Sequence, residues 1–269
     1  MLKKIIVIAC VALSATASAQ TAGTGKGTPK VVYIIADGIS ADALERQDLP
    51  NFKKIINAGS YSRMHVGGDK GTYTETPTIS AVGYNSLLTG TWVNKHNVPD
   101  NNIMAPNYNY PTIFKLFKEQ NPGKKTAIFS SWQDNRTKLL GEGLAATGNF
   151  KPDYAFDGYE LDTVRFKHDK VSNYMHLIDE EVVAHAANTI KEQAPDLSWV
   201  YLEYTDDMGH RYGDSPEFSK AIGMLDVQVG KIWDAIRLRE QRYKEDWLIV
   251  ITTDHGRDEK TGRGHGGQS

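Results

Sequence analysis

Four stretches of this chain share one pattern, in which an apolar run rich in β-branched residues ends abruptly in a polar tip. Such a run without alternation is typical of a strand buried on both faces of a parallel sheet. Helical patterns separate these runs, and the last begins with Ser215 as N-cap and Pro216 at its first position. Strands that alternate with helices predict an α/β fold, here a layered α/β/α domain with a largely parallel central sheet. The strands are predicted at 31–36, 125–132, 197–207 and 246–256, and the helices at 51–58, 111–120, 178–193 and 216–241.

Composition describes an ordinary soluble globular chain. It has 269 residues, of which 40% are apolar and 24% charged, and its net charge is −2. Because there is no basic excess, the composition indicates no nucleic-acid-binding surface. We expect one domain at 31–269, preceded by a flexible segment at 20–30, with the Gly-, Asp- and aromatic-rich residues 141–170 as a surface excursion.

The N-terminus has the pattern of a secretory signal peptide at 1–19. Lys3 and Lys4 precede an apolar run, and Ala17-Ser18-Ala19 form a small-residue cleavage site. The apolar run is too short to span a bilayer, so we expect an exported protein, periplasmic or extracellular, with no transmembrane segment in the mature chain. A lipoprotein box ending at Cys10 is the minority alternative. Cleavage after Ala19 removes this single cysteine, so any metal would be held by histidines and carboxylates.

Acidic residues stand at three of the predicted strand tips. Asp37 follows the first strand, Asp206-Asp207 end the third, and Asp254 is followed by His255 at the fourth. One acid at a strand tip is commonly a turn or N-cap residue. Three such tips meet at one edge if the strands are parallel neighbours, which favours a shared site.

Histidines accompany two of these tips and a glycine-rich loop. Asp206 and His210 are four residues apart, Asp254 and His255 are adjacent, and His265 lies between glycines. Carboxylate and imidazole ligands together suit zinc, with manganese or iron less favoured. We interpret the remaining histidines as ordinary core or surface residues: His65, His96, His168, His176 and His185.

The stretch from Thr74 to Trp92 is rich in hydroxyl groups and then predicts a helix over 81–88 that ends at Gly90. A hydroxyl at a helix N-terminus lies beside free N–H groups, where phosphate binds favourably. Thr76, Thr78 and Ser80 compete for that position, and an ordinary N-cap is the alternative interpretation.

Together these motifs resemble the alkaline phosphatase superfamily, most closely its nucleotide pyrophosphatase/phosphodiesterase branch, and also its metal-dependent phosphoglycerate mutases. The similarity runs in order from Val31 to the end of the chain. In those families the nucleophile lies ten residues before the glycine that closes the S-L-x-T-G motif, which implies Ser80, with Thr78 as the fallback. The motifs are Ile34-Ile35-Ala36-Asp37-Gly38, Ser80-Ala81-Val82-Gly83-Tyr84, Ser86-Leu87-Leu88-Thr89-Gly90, Asp206-x-x-Gly209-His210 and Asp254-His255-Gly256 with His265.

The resemblance implies two divalent metal ions, expected to be zinc, and hydrolysis of phosphate esters through a phosphoserine intermediate. One ion would be held by Asp37, Ser80, Asp254 and His255, and the other by Asp206, His210 and His265. The substrate would be a small phosphate ester or a nucleotide-like molecule. The alternatives are a phosphotransferase of the same superfamily and a non-catalytic protein that binds metal or a phosphorylated ligand.

Some features depart from the family pattern. The sulfatase nucleophile motif C/S-x-P-S-R is absent, and Gly83 stands where the phosphodiesterase branch usually carries asparagine, so monoester against diester preference stays open. Tyr84 and Trp132 are candidates for a leaving-group pocket or for the core. Relatives generally continue with further strand beyond the last histidine, whereas this sequence ends four residues after His265. We therefore expect a domain whose C-terminal part is missing.

Overall fold

A computed structural model describes residues 27–267 of the chain, and the described part contains one parallel five-stranded sheet. The order across the sheet is β3-β2-β4-β1-β5, so the two strands at its middle, β4 and β1, are separated in sequence by most of the chain. Every pairing is parallel. The strands are β1 (Thr28–Ala36), β2 (Thr126–Ser130), β3 (Tyr154–Phe156), β4 (Leu197–Leu202) and β5 (Glu245–Thr252).

Helices cover both faces of this sheet. One face packs against α2, α6, α7 and α8 as defined below, and the other packs against α3, α5 and residues 139–150. The three layers confirm the predicted α/β/α architecture. The helices are α1 (Ala41–Glu45), α2 (Pro50–Ala58), α3 (Ser80–Thr89), α4 (Val93–His96), α5 (Ile113–Gln120), α6 (Asn173–Gln193), α7 (Tyr204–Tyr212) and α8 (Pro216–Arg242).

The central strands are apolar throughout because both of their faces are covered. All six residues of β4 are buried, and Val200 points into one core while Trp199 points into the other. In β1, Ile34 and Ile35 divide between the two cores in the same way. Full burial of each such side chain contributes about 1.5–3 kcal/mol, which explains why these runs do not alternate with polar residues.

The predicted helices all form, but the strand predicted over 197–207 ends early. The chain leaves β4 after Leu202, and α7 begins at Tyr204, so Asp206 lies in the first turn of a helix rather than at a strand tip. The main-chain N–H groups of Glu203 and Tyr204 donate to the buried carboxylate of Asp179 on α6. This acceptor comes from a distant part of the chain, so local sequence does not reveal the helix start.

Two further segments of the sheet also differ from expectation. Strand β1 begins at Thr28, because Thr28 to Lys30, expected in a flexible segment, pair with the start of β5. The stretch 141–170, expected to be irregular, contributes the short strand β3, which pairs with β2. The predicted signal peptide and Cys10 lie outside the described residues. Within 27–267, no helix has the length and apolarity needed to cross a bilayer.

Candidate functional site

The site lies at the carboxyl edge of the sheet, where β4, β1 and β5 end side by side. Asp37 directly follows β1, and Asp254 and His255 follow β5 by two and three residues. Helix α7 starts just beyond β4 and carries Asp206 and His210 one turn apart. Parallel strands end at a common edge, so the order of the strands brings these three segments together.

Asp37, Asp254 and His255 form the first group of candidate ligands. All three side chains are buried, and one ligand atom from each lies within 4.8 Å of the others. Nε2 of His255 is 3.2 Å from Oδ1 of Asp37 and 3.5 Å from Oδ2 of Asp254. These distances allow ion pairing, yet none of the three atoms has a hydrogen-bond partner of acceptable geometry. Buried polar atoms without partners that face one another suit a bound cation.

Burial and mutual charge interactions shift the pKa values of all three residues in this group. Burial and the negative charge of Asp37 raise the pKa of Asp254 well above its usual range. Burial also disfavours the charged form of Asp37, but the nearby His255 and the hydrogen bonds from two phenols outweigh burial and lower its pKa to about 2. For His255, burial opposes protonation, whereas the charges of Asp254 and Asp37 outweigh it and raise the pKa to about 10. A divalent cation would offset these carboxylates without a protonated imidazole.

Asp206, His255 and His265 form a second group, again within 4.8 Å. Nε2 of His210 lies 3.3 Å from Oδ2 of Asp206 and 3.1 Å from Nε2 of His265. The residues expected to hold the second ion are therefore neighbours here. His255 belongs to both groups, so the two groups lie directly beside one another.

A short hairpin after β5 presents His265. Arg257 and His265 pair as an antiparallel bridge at its base. The carboxylate of Asp258 holds the turn by accepting hydrogen bonds from the main-chain N–H groups of residues 260, 261 and 264 and from the Thr261 hydroxyl. The hydroxyl of Thr78 donates to the Gly266 carbonyl, so the fallback nucleophile is engaged in anchoring this hairpin.

Ser80 is the first residue of α3, and its side chain is buried at the edge of the sheet. Ile79, the N-cap residue of α3, makes no side-chain hydrogen bond to the helix. Instead, Oδ1 of Asn101 accepts a hydrogen bond from the Ala81 N–H. Among the described residues, the Ser80 hydroxyl has no hydrogen-bond partner, in contrast to that of Thr78. The positive end of the α3 dipole therefore meets a free hydroxyl, an arrangement that favours a bound anion.

These elements enclose a cavity of about 110 Å³. Tyr84 is fully buried and packs edge-on against the half-buried Trp132, with ring centroids 6.3 Å apart. Both candidates for a leaving-group pocket thus line the cavity, and Tyr84 is a core residue as well. The lining residues are Asp37, Ser80, Tyr84, Asn101, Trp132, Tyr201, Glu203 and Asp206.

The sequence did not identify Tyr201, Glu203 or Asn101 as site residues, nor the role of the Tyr84 hydroxyl. The phenols of Tyr84 and Tyr201 both donate to Oδ2 of Asp37, which leaves Oδ1 facing His255. Glu203 lines the cavity, and burial raises its pKa well above the usual range. The position of Glu203 directly after β4 could have indicated a site residue. Asn101 lies in a loop, where no sequence pattern indicates such a role. The five histidines interpreted as ordinary lie outside both ligand groups.

Comparison with known proteins follows the same motifs. A family model described as type I phosphodiesterase / nucleotide pyrophosphatase matches residues 31–261. Venom phosphodiesterase 2 of Crotalus adamanteus is 23% identical over 263 residues, covering 91% of this chain and 29% of that protein. Ectonucleotide pyrophosphatase/phosphodiesterase family member 1 of Homo sapiens is 25% identical over 246 residues, covering 87% of this chain and 24% of that protein. The chain therefore spans less than a third of the length of these relatives.

Solved structures share the fold. Phosphonoacetate hydrolase from Sinorhizobium meliloti 1021, in complex with phosphonoformate, has a TM-score of 0.58 and 20% identity, covering 86% of this chain and 57% of that chain. Murine ectonucleotide pyrophosphatase/phosphodiesterase 5, an inactive variant in complex with AMP, has a TM-score of 0.56 and 19% identity, covering 85% of this chain and 57% of that chain.

Proposed function

Since this chain belongs to the type I phosphodiesterase / nucleotide pyrophosphatase family, we propose that it hydrolyses phosphate esters through a serine nucleophile beside two metal ions. The observation that carries the proposal is the position of Ser80. Its hydroxyl lies at the N-terminus of α3 and lines the same cavity as Asp37 and Asp206, one from each ligand group. A nucleophile, an anion-binding helix end and two sets of metal ligands thus face one space.

The donor set fits two divalent cations, expected to be zinc. In the proposal, Asp37, Ser80, Asp254 and His255 hold one ion, and Asp206, His210 and His265 hold the other. Buried carboxylate and imidazole atoms without hydrogen-bond partners support the first assignment, and the short distances of His210 to Asp206 and His265 support the second. Bound there, the two cations would stabilise negative charge on the attacking and leaving oxygens of a phosphoryl transfer.

Ser80 carries the covalent step. Its Oγ, having released its proton to solvent, bonds to phosphorus while the bond from phosphorus to the ester oxygen breaks, and the departing alcohol takes up a proton from solvent. Water then displaces Ser80 from the phosphoserine, which releases the phosphate product and restores the hydroxyl. In this proposal, main-chain N–H groups at the start of α3, other than that of Ala81, which donates to Asn101, bind a phosphoryl oxygen.

Asn101 orients the phosphoryl group in this proposal. Its Oδ1 accepts from the Ala81 N–H, which leaves its NH₂ group to donate at the cavity wall. The phenols of Tyr84 and Tyr201 donate to Oδ2 of Asp37 and keep the other carboxylate oxygen turned toward His255. These residues hold the reacting groups in place without taking part in bond changes.

The proposed substrate is a small phosphate ester or a nucleotide-like molecule. A cavity of about 110 Å³ suits a phosphoryl group and the atoms next to it, with Tyr84 and Trp132 as the aromatic wall. The complex of the murine structural relative with AMP supports a nucleotide-like substrate for this chain. Export to the periplasm or the cell exterior is part of the proposal and is supported by the signal-peptide pattern of residues 1–19.

The covalent intermediate provides a direct test. The zinc-loaded protein is mixed with p-nitrophenyl phosphate or bis-p-nitrophenyl phosphate, quenched in acid, digested and analysed by mass spectrometry. We expect a phosphoryl or p-nitrophenyl phosphoryl adduct on the peptide that contains Ser80. Turnover of either ester with no adduct at any quench time, or with an adduct on Thr78, would contradict the proposed mechanism.

A further inference from the structure

Arg257, two residues after His255, is buried at the candidate site although it is not a ligand. Its side chain is 4% exposed. Nη2 donates to Oδ1 of Asp206 over 2.5 Å and to the main-chain oxygen of Asp206 over 2.9 Å, while Nε donates to the Gly38 carbonyl over 2.8 Å. One guanidinium group therefore joins the residue next to Asp37 to a member of the second ligand group.

Two glycines make room for this guanidinium. A Cβ atom on Gly38, whose φ is +67°, would lie 2.4 Å from Nη2 of Arg257 and 2.4 Å from Oδ1 of Asp206. A Cβ atom on Gly209 would lie 2.3 Å from Cζ of Arg257. Real atoms do not approach so closely, so any side chain at Gly209 would displace the arginine. The close approach of Arg257 therefore explains why glycine occupies this position of the Asp206-x-x-Gly209-His210 motif in this chain.

The contacts of Asp206 divide its two oxygens between different partners. Oδ1 accepts from the Arg257 guanidinium and lies 3.6 Å from Nε2 of His255, on the side away from His210. Oδ2 faces His210, which is itself 3.1 Å from His265. A planar guanidinium with two fixed contacts prevents the carboxylate from rotating, because rotation would break a charge-assisted hydrogen bond.

We propose that Arg257 is a positioning residue that restricts Asp206 to one metal-facing oxygen and thereby makes the Asp206, His210 and His265 site selective for zinc over manganese. The inference rests on the proposed two-metal function. One carboxylate oxygen and two imidazole nitrogens, with one position left for substrate, match the four-coordinate geometry that zinc adopts. Manganese prefers more oxygen ligands, which a carboxylate that binds with both oxygens supplies.

Arg257→Met removes the guanidinium while keeping a side chain of similar length. Both oxygens of Asp206 then become available to a metal, and the preference for zinc decreases. Partners that orient a ligand typically change metal affinity by about 10–100-fold, so we expect the ratio of the manganese to the zinc dissociation constant at the Asp206, His210 and His265 site to decrease at least tenfold. Competition against a chelator of known affinity measures both constants on the full chain.

Gly209→Ala is the sharper variant, because it keeps Arg257 and every ligand. Alanine in a helix is more favourable than glycine by about 1 kcal/mol, so this variant is expected to fold, and circular dichroism checks that it does. We expect the same loss of selectivity as in Arg257→Met. Arg257→Lys keeps the positive charge but loses the planar guanidinium group with its several donors. We expect its ratio of manganese to zinc dissociation constants to lie between those of the wild type and Arg257→Met.

Arg63→Met is the matched control, since Arg63 also pairs with carboxylates, but on the surface. Its ratio should equal that of the wild type. An unchanged ratio in folded Arg257→Met or Gly209→Ala overturns the inference while leaving the proposed function intact. Wild-type protein that binds only one zinc ion contradicts the proposed function itself and the inference with it.

Discussion

Gly83 packs directly against the main chain of Asp254. A Cβ atom on Gly83 would lie 2.7 Å from the Asp254 carbonyl oxygen and 2.8 Å from the Asp254 Cβ atom. Gly83 lies in the helix that starts at Ser80, so this contact sets the distance between the proposed nucleophile and a proposed metal ligand. The usual asparagine of the phosphodiesterase branch has no space here unless the end of β5 moves.

Gly83→Ala should therefore damage the site although alanine is the better helix former. We expect lower affinity for the metal held by Asp254 and His255, and at least a tenfold loss of kcat/KM, because the helix and β5 must separate by several tenths of an ångström. Zinc titration and steady-state rates measure the two effects. Gly223→Ala is the control, since no atom lies within 4 Å of a Cβ atom there; equal behaviour of the two variants would refute the argument.

Ser80→Ala and Thr78→Ala distinguish the two hydroxyls. Loss of the nucleophile should lower the rate of ester hydrolysis by about 10³-fold or more, with zinc binding retained. Thr78 donates to the Gly266 carbonyl, so its loss removes one hydrogen bond, worth about 0.5–1.5 kcal/mol, from the anchor of the His265 hairpin. We expect Thr78→Ala to keep most of the activity, and the opposite ranking of the two variants would make Thr78 the nucleophile.

Asp258→Ala tests the hairpin without altering a ligand. The carboxylate holds three main-chain N–H groups and one hydroxyl, and these hydrogen bonds lower its pKa to about 2. Without it, His265 should be less well ordered, and zinc affinity at the second group should decrease by about tenfold. Isothermal titration measures this, and Asp48→Ala, an exposed acid far along the chain, is the control. Unchanged affinity would show that the hairpin holds its shape without Asp258.

The layers of the fold and most of the site were predictable because they follow from local pattern. Continuous apolar runs mark β1, β4 and β5, and the residues after them are Asp37, Asp254 and His255. What the sequence did not predict depends on distant contacts. Helix α7 starts early because Asp179, on α6, accepts its first N–H groups.

The contacts of Arg257 and Thr78 were beyond the sequence for the same reason. An arginine two residues after a ligand is ordinary until the space left by Gly38 and Gly209 places it on Asp206. Thr78 and Ser80 are equivalent by composition, and the family resemblance favoured Ser80; the hairpin contact of Thr78 and the place of Ser80 in the cavity wall add the structural difference between them. The contacts of Thr78 with Gly266 and of Arg257 with Gly38 join segments more than a hundred residues apart, and that of Arg257 with Asp206 joins residues 51 apart.

His96 predicts a pH dependence of stability away from the site. Burial lowers its pKa from 6.5 to about 4, and its ring contacts the Ser86 hydroxyl and the Val98 N–H. In the unfolded chain the histidine takes up a proton first as the pH decreases, so the contribution of His96 to the free energy of unfolding should decrease between about pH 6.5 and pH 4. The slope from this residue is at most about 1.4 kcal/mol per pH unit.

Urea unfolding of the chelator-treated protein at pH 7 and pH 5 measures this slope. His265, whose pKa burial also lowers to about 4, contributes in the same direction, so the comparison is between wild type and His96→Gln. We expect a smaller decrease in the variant. Equal decreases would mean that His96 titrates alike in the folded and unfolded chains.

The most direct test of the central claim is the initial rate of hydrolysis of p-nitrophenyl phosphate and of bis-p-nitrophenyl phosphate by protein stripped of metal and then titrated with zinc. We predict no turnover of either ester by the stripped protein. Turnover of at least one ester should return as zinc is added and reach its plateau at two zinc ions per chain. Hydrolysis by the fully stripped protein, or a plateau reached without zinc binding, would contradict the account.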